Sequence, residues 1–116
     1  MVDEHDIGRK PENGAARIED FRRRIDQIDD QLMKLLNSRS ACAVEVGRLK
    51  RHVGMPVYQP EREKWILERV ERNNPGPLDR GAVRRVFERI IDESRRLERL
   101  AAEAEDGGAG GKREGD

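Results

Sequence analysis

Ala16–Val53 reads ARIEDFRRRIDQIDDQLMKLLNSRSACAVEVGRLKRHV, and this run decides the fold. Its apolar residues are Ile18, Phe21, Ile25, Ile28, Leu32, Leu35, Cys42, Val46, Leu49 and Val53. They recur at alternating steps of three and four, the heptad seam of one long helix. Gly47 is the sole Gly or Pro in the run. At roughly 1.5 Å per residue the helix spans about 55 Å. A compact domain of about 100 residues has a radius of gyration of only about 13 Å. The helix is therefore expected to pack against a second chain as well as its own. One beat of the seam is not apolar: Arg39 stands between Leu35 and Cys42. A buried guanidinium needs an anion, because an unpaired buried charge is strongly destabilising. That anion is either a glutamate of another helix or a bound ligand.

Composition points the same way. Of 116 residues, 41% are charged and 3% aromatic, too little apolar bulk for a private core. Long amphipathic helices that oligomerise are favoured over a globular monomer. The 24 basic and 24 acidic residues cancel, which argues against a nucleic-acid binder. Most arginines lie three or four residues from Asp or Glu, as on solvated helix faces. The single Cys42 forms no intrachain disulfide and reads as a small buried hydrophobe in the seam. No apolar run reaches the roughly 20 residues of a membrane span, and no signal-peptide core is visible. The expectation is a cytoplasmic protein with no membrane partner.

Residues 1–14 read as a disordered leader containing His5. Gly54 is the expected cap of the long helix, and His52 reads as capping carbonyls there rather than binding metal. Met55–Gln59 is extended, and Pro60 opens a short second helix with Glu61 and Glu63 at its positive end. Trp65, Ile66 and Val70 form its apolar side, with Trp65 read as core packing. Asn73–Pro77 ends it. Asp79 caps a third helix whose stripe is Val83, Phe87, Ile90, Ser94, Leu97 and Ala101, widened by Val86 and Ile91. From about Glu105 the chain is expected to become a flexible glycine-rich tail, 105–116. With no strand-like alternation, the domain 15–104 is all-α: long, short and long helices.

Several polar residues point inward. Arg39 and Lys50 are eleven residues apart, almost three full turns, so they share a face about 16 Å apart along the axis. The gap between their charged heads suits a small dianion. Lys50 also fits as a residue favoured by the helix dipole. Glu63 is either a dipole-stabilising acid or a hydroxyl acceptor. Ser94 interrupts the third stripe, where serine commonly bonds its own helix carbonyl. Glu98 borders the same face. Cations, a hydroxyl and two carboxyls make up this set, without a thiol nucleophile, metal cluster or phosphate-cradling loop.

The run Arg22-Arg23-Arg24-Ile25-Asp26-Gln27-Ile28-Asp29 resembles the opening of the all-helical, type II chorismate mutases. So do Leu35-Leu36-Asn37-Ser38-Arg39, Ala43-Val44-Glu45-Val46-Gly47-Arg48-Leu49-Lys50 and Tyr58-Gln59-Pro60-Glu61-Arg62-Glu63. Phe87 and Ile90-Ile91-Asp92-Glu93-Ser94 continue the likeness, which covers Ile18 to Leu100. The resemblance implies an intertwined homodimer that rearranges chorismate to prephenate for aromatic amino-acid synthesis, with no cofactor or metal. It implies that Arg22 is lent to the partner's site and that Arg39 clamps a carboxylate in its own. Lys50 would meet a carboxylate and the ether oxygen. Glu63 would hold the substrate hydroxyl, aided at Gln59, with Arg62 another substrate-binding position. Ser94 would assist at a carboxylate, and Glu98 would face the ether oxygen. Such a rearrangement needs a flexible dianion held in a chair and donors aimed at growing negative charge. Gln59 stands where some members carry Asp, and Glu98 where others carry Gln. An isochorismate pyruvate-lyase on the same scaffold and a non-catalytic helical dimerisation module are the competing readings.

Overall fold

The computed structural model describes residues 13–115, with side chains over 13–107; the expected leader, His5 included, lies outside these residues apart from Asn13 and Gly14. Three helices follow one another: α1 (Gly14–Val53), α2 (Pro60–Asn73) and α3 (Arg80–Gly115). The long–short–long order and the all-helical class match the expectation from periodicity. By packing, the chain divides after Asn37 into two units.

The first unit contributes the first part of α1, up to Asn37. Its apolar residues Ile18, Phe21, Ile25, Ile28, Leu32, Leu35 and Leu36 are between 39% and 67% exposed. Local ion pairs decorate the helix, Arg22 with Glu19 at 2.8 Å and Arg23 with Asp20, each one turn apart. Such exposed pairs add only tenths of a kcal/mol, roughly 0.3–0.5 each. The stretch carries helix-forming residues and an uncovered apolar stripe.

The second unit holds the end of α1 with α2 and α3. Its buried apolar residues are Ala43 from α1 and Val83, Ile91 and Ala101 from α3. Gly47 is buried too, and a Cβ there would lie 2.7 Å from the Cα of Glu98. The face of α1 turned to α3 is therefore Ala43–Gly47, one residue round the helix from Cys42 and Val46. This corrects the reading of Cys42 as buried: it is exposed in the single chain. Small residues let the two backbones approach, and the larger seam residues are left outside. Trp65 is likewise not core. It is 48% exposed, with the guanidinium groups of Arg62 and Arg69 lying 4.7 and 5.5 Å from its ring centre. Ile66, Leu67 and Val70 supply the half-buried side of α2 instead.

The caps follow the sequence. Gly54 has φ +72°, and the Met55 amide donates to the Lys50 carbonyl at 2.8 Å, closing α1. Asp79 Oδ1 accepts from the Ala82 amide at 2.7 Å, opening α3. The far end of α3 departs from expectation: the helix passes the glycine run and stops at Gly115. At Glu105 and Asp106 ion pairs tie it to α1: Arg51 holds Asp106 at 2.5 Å and Arg48 lies 3.5 Å from Glu105. No helix among the described residues is long and apolar enough to cross a membrane.

Candidate active site

A cavity of about 400 Å³ opens in the second unit, walled by α1, the Met55–Gln59 segment, α2 and α3. Helical spacing explains its cations. Arg39, Val46 and Lys50 repeat down one side of α1, and Ile91, Ser94, Arg95 and Glu98 recur at three and four along α3. The first turn of α2 adds Arg62 and Glu63, and the preceding segment adds Val57 and Gln59.

Each cation is held by a neighbour. Arg39 Nη1 donates to Ser94 Oγ, and that hydroxyl donates to the Ile90 carbonyl at 3.0 Å. Ser94 bonds its own helix, as serine on such a stripe commonly does, and it also lines the cavity. The Arg39 guanidinium is matched by a neutral hydroxyl rather than by a glutamate. Lys50 Nζ donates to Glu98 Oε1 at 2.6 Å and to the Val57 carbonyl at 2.8 Å. Both partners of this ion pair are largely shielded, 12% and 15% exposed. The end of α1 favours a cation there as well, so the dipole and the ion pair act in the same sense. Gln59 turns its amide to the Pro56 carbonyl at 3.1 Å, bracing the segment that walls the cavity.

Of the residues singled out in the sequence, Arg39, Lys50, Gln59, Arg62, Glu63, Ser94 and Glu98 line this one cavity. Arg22 does not; it is exposed in the first unit and paired with Glu19. Two contributors escaped the sequence reading. The first is the Val57 carbonyl, a backbone group with no signature in residue type. The second is Arg95. Its Nε donates to Glu63 Oε2 at 3.0 Å and its Nη2 to Oε1 at 2.7 Å, a two-pronged pair. The guanidinium also lies 5.2 Å from the centre of the Tyr58 ring. Donation to the Glu63 carboxylate holds the Arg95 pKa above its ordinary value, against the opposing effect of burial. It adjoins Ser94 and sits one turn beyond Ile91, which places it on the cavity wall.

Counted by charge, the wall carries four cations (Arg39, Lys50, Arg62, Arg95) and two carboxylates (Glu63, Glu98), a surplus of two positive charges. A compact dicarboxylate matches that surplus.

The sequence profile for chorismate mutase type II matches residues 21–99. A bifunctional chorismate mutase/prephenate dehydratase of Pseudomonas aeruginosa is 40% identical over 83 residues, 67% of this chain and 23% of that protein. The chain thus spans about a quarter of the length of the bifunctional relatives it matches first. Among solved structures, a chorismate mutase from Thermus thermophilus superposes with a TM-score of 0.70 at 34% identity, covering 71% of this chain and 93% of that one. The Helicobacter pylori chorismate mutase in complex with prephenate gives a TM-score of 0.69 at 26% identity, covering 76% and 96%. The match of the profile across all three helices settles the kinship: the chain belongs to the type II chorismate mutase family.

Proposed function

We propose that the protein is a chorismate mutase, converting chorismate to prephenate in an intertwined homodimer with shared sites. The observation that carries the reading is the cavity with two surplus positive charges, in which Arg39, among the described residues, is paired with a neutral hydroxyl. In the reaction the ether C–O bond breaks while a C–C bond forms, in one cyclic shift of electron pairs. No proton leaves the substrate, so the protein's task is to hold a chair conformer and to meet charge on the ether oxygen. Arg39 clamps one carboxylate, steadied by Ser94, with Arg62 a further cation of the wall. Lys50 meets a carboxylate and the ether oxygen. Glu63 accepts the ring hydroxyl, and Gln59 shapes that end of the cavity. Arg22 comes from the partner chain. The domain is 15–104, with leader and tail outside it, and the family profile falls within those bounds. The name of the Pseudomonas aeruginosa relative joins chorismate mutase to prephenate dehydratase, which supports a role in aromatic amino-acid synthesis. An assay tests the reading directly: chorismate yields prephenate. Pyruvate from isochorismate would assign a lyase instead, and neither product would leave a dimerisation module.

The exposed stripe of the first unit supports the dimer. Ile18, Phe21, Ile25, Ile28, Leu32 and Leu35 are already half covered by their own helix, so burying the rest gains about half of the 1.5–3 kcal/mol of a whole side chain each, on the order of 10 kcal/mol over two chains. That is comparable with the cost of association, about 4–15 kcal/mol, before any other contact is counted. Sedimentation at micromolar concentration is expected to find folded dimer and no folded monomer; a folded monomer would overturn the assembly.

Glu98 is tested by its isostere. Its carboxylate accepts from Lys50 at 2.6 Å, and an ionised carboxylate repels charge growing on an ether oxygen. Glu98→Gln keeps the size and places an amide donor at the same point, so turnover on chorismate is expected to be kept or raised. A fall of about 100-fold, the cost of losing one preorganised group, would remove Glu98 from the ether oxygen.

A further inference from the structure

Arg95 does not follow from the reaction as outlined above, yet it is the most tethered cation in the cavity wall. It grips Glu63 with two parallel N–H groups, touches Asp92 Oδ1 at 3.4 Å and covers the Tyr58 ring. These contacts come from α2, from α3 itself and from the segment between α1 and α2. An ion pair this exposed, 37% for Arg95 and 21% for Glu63, contributes little to stability. What it fixes is direction and charge. Both Glu63 oxygens are engaged, and each retains a lone pair for a further donor.

We propose that Arg95 is a positioning residue of this site, holding the Glu63 carboxylate as an oriented, charge-compensated acceptor for the hydroxyl of the bound dianion. The inference rests on the mutase reading and deepens it. Two effects follow from the geometry. Without the two-pronged grip, Glu63 turns about its own side-chain bonds, and the hydroxyl loses a fixed acceptor. Without the charge, the surplus in the wall falls from two to one, and Glu63 repels the incoming dicarboxylate.

These effects separate in kinetics on chorismate. Arg95→Met removes both and is expected to lower kcat/KM about 10- to 100-fold, the scale of a misplaced binding group. Arg95→Lys keeps the charge but cannot grip both oxygens, so KM stays near wild type while kcat falls about tenfold. In a Glu63→Gln background, Arg95→Met costs less than about threefold more, because Arg95 acts through Glu63. Arg96→Met, the same charge loss on an exposed position of α3, leaves kcat and KM unchanged. Circular dichroism checks each variant's fold; should Arg95→Met fail to fold, the kcat–KM split of Arg95→Lys decides. Equal losses from Arg96→Met, independent losses in the double variant, or an unchanged Arg95→Lys would each overturn the assignment. A wild type that makes no prephenate sinks the mutase reading and takes this inference with it; an active wild type with an indifferent Arg95 sinks the inference alone.

Discussion

Two inactive variants, Arg22→Ala and Arg39→Ala, are expected to recover activity when unfolded together and refolded. Arg39 lines the cavity of its own chain and binds Ser94, whereas Arg22 is exposed and pairs with Glu19, one turn away. If each site takes Arg39 from one protomer and Arg22 from the other, a mixed dimer has one doubly damaged site and one intact site. Each single variant loses both sites, and removing one preorganised donor costs about 10²–10³-fold in turnover. Random pairing makes half the dimers mixed, so about a quarter of all sites are restored. A quarter of wild-type activity from two near-dead parents is far above background. Mixed dimers verified by mass spectrometry but still inactive would mean that both arginines serve one chain's site.

Gly47→Ala is expected to lower both stability and turnover, against the usual effect of this substitution in a helix. In an open helix Ala is better than Gly by about 1 kcal/mol. Here the new Cβ would stand 2.7 Å from the Cα of Glu98 and 2.9 Å from its carbonyl carbon. Those are backbone atoms, so no side chain can swing away and the two helices must part. Overpacking of this kind costs about 1–3 kcal/mol, enough to outweigh the propensity gain. The separation falls between the two pairs that bridge α1 and α3, Arg39 with Ser94 and Lys50 with Glu98. A displacement of about 1 Å there is expected to reduce kcat/KM about 100-fold. A raised melting temperature in Gly47→Ala would mean that the helices do not approach closely at this point.

Gly47 also marks where the sequence could be read and where it could not. Arg39 and Ser94 were legible because each breaks an apolar stripe, and a polar residue on such a face demands a reason. The helices themselves were legible because their periods are long and their caps, Gly54 and Asp79, are chemically distinctive. Gly47 reads in the sequence only as the one glycine of the run, since close approach of two backbones leaves no mark beyond the absence of a side chain. Cys42 and Trp65 read as core because each lies on an apolar stripe, yet both are exposed. A heptad pattern records that a face is to be covered; it does not record by which chain. Arg95 was hidden among Asp92, Glu93 and Arg96, where i,i+3 pairing makes every charge look like solvated surface. Only the fold brings Glu63 against it.

The Lys50 bond to Val57 has one more implication. It uses the carbonyl oxygen, which every amino acid offers, while Val57 also lines the cavity. Charge placement and pocket shape are thus carried by different atoms of the same residue. Exchanging Val57 for a smaller or larger aliphatic side chain changes the contour available to a ligand without removing the acceptor that tethers the lysine. Position 57 is a dial on steric selectivity that evolution, or an engineer, can turn while the ammonium stays tethered.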